Sequence, residues 1–124
     1  GGLLPGIQNE NLLQMHTFPC ENGDEFPKNQ YTKWFDYDKI KGTLSLRHRQ
    51  PGDYLTLPSG GRKTLKSWMI DEKIPRQERE EIWLLAEEKH ILWIVGHRIS
   101  AYYKITEQTK TILEVEFNGG KSSG

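Results

Sequence analysis

At 124 residues, with 17 Lys+Arg balanced by 17 Asp+Glu and four tryptophans, the chain is sized and composed for one folded domain rather than a disordered tail. Its one cysteine, Cys20, excludes an intrachain disulfide and fits a reducing compartment. No apolar run approaches the roughly 18 residues a membrane span needs, and no charged n-region with an apolar h-region stands at the start. The chain opens Gly1-Gly2 rather than with methionine, as a piece of a longer protein would.

Residues 1–30 form a weakly patterned segment: a turn at Leu3-Leu4-Pro5-Gly6, a run over 11–18 that alternates as an edge strand does, and a loop from Pro19 to Asp24. The main domain is expected over 31–118, with flexible tails at Gly1-Gly2 and 119–124. Tyr31 to Asp36 is rich in aromatic and β-branched residues and reads as a strand. The next strand spans 44–49, with Leu44, Leu46 and His48 on its apolar face and Arg47 and Arg49 on the other. Gln50-Pro51-Gly52-Asp53 is a turn, and Tyr54 to Leu57 a short strand.

After the glycine turn Pro58-Ser59-Gly60-Gly61, the spacing of Leu65, Trp68 and Met69 predicts a helix over 62–70, with Arg62, Lys63 and Lys66 on its other side. A second short helix is expected from Pro75, as its first helical residue, to Glu80 or Glu81. Ile82–Ala86 and Ile91–Val95, apolar on both faces, predict a hairpin at the centre of a sheet, followed by a loop over 96–100. Residues 101–105 are ambiguous, and Thr111 to Phe117 alternates as a half-exposed last strand. The predicted class is α+β: a small, mostly antiparallel sheet domain with two short helices between strands.

Catalytic patterns are absent from the sequence. Ser59-Gly60-Gly61 lacks the acid and hydroxyl of a phosphate-gripping loop and reads as a turn between strand and helix; the P-loop pattern does not occur. The four histidines, His16, His48, His90 and His97, have no metal-ligand spacing. The carboxylate pairs Asp36/Asp38, Asp71/Glu72, Glu80/Glu81 and Glu87/Glu88 lie in turns or at element ends, where solvated acids are expected. No catalytic, cofactor-binding or metal-binding residue is assigned.

Charge is the stronger signal. Residues 41–79 hold nine Lys/Arg against four Asp/Glu, a net of +5, and the remainder carries −5. Arg62, Lys63 and Lys66, read as opening a helix, are suited to phosphate through charge and dipole together. Arg47 and Arg49 on one strand face, and Arg76 and Arg79 on one helical face, extend the set to seven cations that can track a nucleic-acid backbone. The competing reading is a protein-interaction or scaffolding module whose basic face docks an acidic partner.

Three segments, Arg47-His48-Arg49-Gln50-Pro51-Gly52-Asp53, Lys63-Thr64-Leu65-Lys66, and Asp71-Glu72-Lys73-Ile74-Pro75 with Arg76 and Arg79, together resemble the C-terminal domain of bacterial tRNA(Ile)-lysidine synthase. Tyr31–Asp36, Ile91–Ser100 and Tyr103-Lys104-Ile105-Thr106 are similar to the same domain in the same order. The likeness covers about residues 31–117. It implies a fragment of a cytoplasmic ligase that adenylates the wobble cytidine of an isoleucine tRNA and joins lysine there. The chemistry, with ATP and Mg, would lie in an N-terminal domain this chain lacks. This domain would hold the tRNA on its acceptor-stem side, with the parent enzyme's other domains as further partners and no membrane. Oligomeric state is left open.

Overall fold

The computed structural model describes residues 12–21, Pro27 and 30–118. The turn expected at Leu3–Gly6, both tails and part of the Pro19–Asp24 loop lie outside the described residues. In chain order the strands are β1 (Leu13–Pro19), β2 (Thr32–Asp36), β3 (Leu44–Arg47), β4 (Tyr54–Thr56) and β5 (Arg62–Thr64). Two helices follow, α1 (Leu65–Asp71) and α2 (Arg76–Arg79), then β6 (Leu84–Glu87), β7 (His90–Ile94), β8 (Arg98–Ile99) and β9 (Thr111–Phe117). Single 3₁₀ turns occupy Tyr37–Lys39 and Ala101–Tyr103. The expected α+β class, mostly antiparallel with two short helices between strands, is what the chain adopts.

The first sheet is antiparallel, in order β1-β9-β2. Opposed residues share a face, so Leu13↔Phe117, Met15↔Val115 and Phe35↔Leu113 all turn inward. The edge strand read from residues 11–18 is β1. The second sheet runs β3-β6-β7-β4-β5, with β8 also pairing β7; its single parallel contact is Tyr54↔His90. The hairpin β6–β7 sits at its centre, as its two-sided apolar runs predict.

That hairpin separates two cores. Leu85, Leu92 and Trp93 join Leu44, Leu46 and the inner face of the first sheet. Leu84, Ala86, Ile91 and Ile94 face the other way, onto Leu65, Trp68 and Met69 of α1, with Leu55 and Ile74. A β-bulge makes this division possible: Leu85 opposes Trp93 but Ala86 opposes Ile91, so Leu92 is the extra residue. Helix α1 therefore packs on the side of the hairpin away from Trp93.

Several expectations need correction. Arg62 and Lys63 are not helical: they lie opposite Thr56 and Leu55 of β4 as an edge strand, and α1 begins only at Leu65. Its N-cap is Thr64, whose Oγ1 accepts from Ser67 N at 3.1 Å. The glycine turn therefore joins two strands, closed by Leu57 N to Gly61 O and Gly60 N to Leu57 O at 2.8 Å each. Pro75 is extended (ψ 142°) and caps α2 from outside it. The supposed loop at 96–100 contains β8, whose Ile99 and Arg98 pair with Trp93 and Ile94. His48 lies beyond β3, exposed, with its ring stacked on Trp83 at 4.1 Å.

Candidate nucleic-acid interface

The Gln50–Asp53 turn is built around a buried carboxylate. Gly52 adopts φ +89°, a left-handed conformation that glycine reaches without strain. This turns Asp53, 3% exposed, back under the loop. Its oxygens accept from Arg47 Nη1 and Nη2, both at 2.9 Å, and from Gln50 N at 2.8 Å. The same guanidinium donates to the carbonyls of His48 (3.0 Å) and Glu88 (2.6 Å). The Asp53 carbonyl accepts from Leu65 N at 2.8 Å, so the turn also anchors the start of α1. Both terminal nitrogens of Arg47 are engaged inside the fold, where they hold this turn.

The other cations divide among three places. Arg49 pairs through Nε with Glu80, tying the end of β3 to the end of α2. Arg49, Lys66 and Glu80 line a cleft of about 510 Å³ beside the Gln50–Asp53 turn, with Lys66 exposed. Lys63, next to Arg62 but on the opposite strand face, reaches Asp71 of α1 in an ion pair. Arg76 is exposed on α2, while Arg79 Nε donates to the Ile74 carbonyl at 2.8 Å. Arg62 lies over the ring of Tyr54, 4.3 Å from its centroid. Arg62, Lys63 and Lys66 thus do not share one helical face: Arg49 and Lys66 share the cleft, and Arg62 turns to the other side of the second sheet.

On that side His90 stacks on Tyr54, ring centroids 4.6 Å apart, and lies against Tyr102 at 5.1 Å and Tyr103 at 4.9 Å. Its Nε2 is within 3.0 Å of Thr56 Oγ1 and 3.2 Å of Ser100 Oγ. Burial, seconded by the charge of Arg62, holds the imidazole below its ordinary pKa against an upward pull from Glu87. Burial likewise pushes the Tyr103 phenol far up, reinforced by its 2.7 Å hydrogen bond to Glu87. Glu87 also accepts from the backbone N–H groups of Lys41 and Gly42. Two members of the carboxylate pairs are therefore not solvated acids. Glu87 is tied into this network, and buried Asp36 caps the first 3₁₀ turn by accepting from Asp38 N at 3.0 Å. Sequence reasoning missed the cluster because Tyr54, His90 and Tyr102 come from three separate elements. Of the other histidines, His16 pairs with Glu114 at 3.2 Å. Among the described residues no three His, Cys, Asp or Glu gather into a metal-holding group, and no helix is long and apolar enough to cross a membrane.

Two cores on either side of one hairpin, with a cleft holding Arg49 and Lys66, define a small α+β module with exposed cations. Residues 44–116 match the family model of the TilS substrate C-terminal domain. The chain belongs to that family. It is 46% identical over 118 residues to a tRNA(Ile)-lysidine synthase of Caldanaerobacter subterraneus subsp. tengcongensis, covering 92% of this chain and 25% of that protein. It is 41% identical over 119 residues to one of Clostridium tetani, covering 94% and 26%. The chain thus spans about a quarter of the length of these curated relatives. The crystal structure of a TILS C-terminal domain shares the fold, with TM-score 0.66 and 24% identity over 90% of this chain and 88% of that one.

Proposed function

We propose that this chain is the tRNA-holding C-terminal domain of a cytoplasmic tRNA(Ile)-lysidine synthase, a ligase that adenylates the wobble cytidine of an isoleucine tRNA and joins lysine to it. In this reading ATP and magnesium are bound by domains outside these 124 residues, which bring the anticodon to the reacting groups. The present domain grips the tRNA on its acceptor-stem side. The observation that carries the reading is the exposure of Lys66 and Arg76, with Arg49 in the same cleft as Lys66, on a domain of this family. Backbone contacts of this kind position a nucleic acid without reading its sequence.

In this reading the candidate contacts are ordered by how freely each cation can reach a phosphate. Lys66, Arg76 and Arg62 come first; Arg49 and Lys63 are held by carboxylates that a phosphate must displace; Arg79 is half-committed and Arg47 fully so. The test is Lys66→Glu with Arg76→Glu in the enzyme that contains this chain. The tRNA affinity should fall for any tRNA of similar shape, with unchanged melting temperature. The log-affinity against log-salt slope should flatten by about 0.7–0.9 per lost contact. The internal pairing of Arg49 and Lys63 favours the rival, a protein-docking face. Unchanged tRNA affinity and slope, with weakened association to the parent's other domains, would put that rival ahead.

A further inference from the structure

The open face at the β4–β5 end of the second sheet carries a continuous stack that shares only Arg62 with the seven cations. Arg62 lies 4.3 Å over Tyr54, and Tyr54 stacks on His90 at 4.6 Å. His90 meets Tyr102 at 5.1 Å, and Lys39 Nζ stands 5.2 Å from the Tyr102 ring centre. The order along the stack is cation, ring, ring, ring, cation. Backbone alternation creates it: Tyr54 turns outward because Leu55 turns into the core beneath α1. Tyr102 is brought alongside by the 3₁₀ turn at Ala101–Tyr103, whose other ring, Tyr103, is buried.

We propose that this stack is a binding site for an unpaired nucleotide of RNA, with Tyr102 and the Arg62 guanidinium laid over Tyr54 as the surfaces on which a base stacks. The inference rests on the reading of the chain as a tRNA-binding domain. Internal packing accounts for the half-buried Tyr54 and His90. It does not call for a tyrosine left 44% exposed between a stack and a lysine. Unpaired strands are held by this combination: π-faces for bases, which duplexes keep covered, and cations for the flanking phosphates. Guanidinium planes stack on bases as rings do, so Arg62 can serve both needs. The stack carries its lysine and arginine at its two ends, Arg62 over Tyr54 and Lys39 over Tyr102. Backbone-tracking contacts in the Arg49–Lys66 cleft and base stacking here would then select a duplex that ends in, or is interrupted by, unpaired residues.

The test uses the 124-residue chain with a short single-stranded RNA carrying 2-aminopurine, whose fluorescence falls on stacking, and with a blunt duplex of the same sequence. Wild type should bind and quench the single strand. Tyr102→Ala should lose about 5- to 150-fold in that affinity together with the quench, and Tyr102→Trp should keep both. Duplex binding should be unchanged in all three, as should melting temperature. Tyr54→Leu serves as a second probe on the inner ring. The proposal is overturned if Tyr102→Ala and Tyr54→Leu bind and quench the single strand like wild type, or if wild type binds it no better than the duplex. Loss of tRNA binding in Lys66→Glu alongside silent tyrosine variants would sink this site alone. Failure of the wild-type chain to bind any RNA would sink the tRNA reading with it.

Discussion

Arg47 offers the sharpest test, because charge counting and the structure assign it different roles. A phosphate contact would be dispensable for folding. The structure instead shows a guanidinium whose side chain is 13% exposed, joined bidentately to a carboxylate that is 1% exposed. Removing one partner of a buried pair costs about 3–5 kcal/mol, because the other charge is left uncompensated. The residual exposure of Arg47 argues for the lower end. Arg47→Met should therefore destabilise the chain by about 3 kcal/mol, or roughly 12 °C of melting temperature at about 4 °C per kcal/mol for a domain of this size. Thermal and urea melts followed by tryptophan fluorescence read this directly. Asp53→Leu should cost at least as much, since Gln50 N also loses its acceptor. The double variant should be less destabilised than the sum by more than about 1 kcal/mol. Well below its melting point, Arg47→Met should keep both its tRNA affinity and its salt slope. A variant that melts within about 2 °C of wild type while its salt slope flattens would refute the assignment and return Arg47 to the phosphate contacts.

Two further outcomes follow from the packing. Trp68→Ala, which empties a 4%-exposed indole from the core beneath α1, should cost about 3–5 kcal/mol in the same urea melts, and a loss under about 1 kcal/mol would mean α1 turns another face inward. His90 is held below its ordinary pKa, so the unfolded chain binds protons more readily. The stability this contributes is present above the unfolded value of about 6.5 and is lost as pH falls through the lower folded one. The drop in melting temperature between about pH 7 and about pH 5 should thus be smaller in His90→Phe, and an identical drop would show that His90 is not the titrating group.

The elements legible in the chain were those whose signal is periodic. The alternation of Leu113, Val115 and Phe117 marks β9. The Leu65–Trp68–Met69 spacing marks the inner face of α1, and the apolar runs around residues 87–90 mark the central hairpin. Each reflects a side-chain repeat set by the backbone within a few residues. Where α1 begins was not legible, because Arg62 and Lys63 become a strand only when the fold lays β4 beside them, with Thr56 and Leu55 opposite. The hairpin's division between two cores was hidden for a similar reason: one bulged residue, Leu92, decides which side chains face which way.

The site divides along the same line. That residues 41–79 are basic is a property of composition, and it stands. Which cations remain available depends on partners the chain supplies elsewhere: Glu80 for Arg49, 31 residues away, and Glu88 O for Arg47, 41 away. The Tyr54–His90–Tyr102 stack has no repeat to betray it. It exists because a parallel contact sets Tyr54 opposite His90 and a 3₁₀ turn lays Tyr102 against them. Charge and local period are carried by the covalent chain, whereas desolvation, ion pairing and ring stacking act between groups that only the folded backbone brings within a few ångströms.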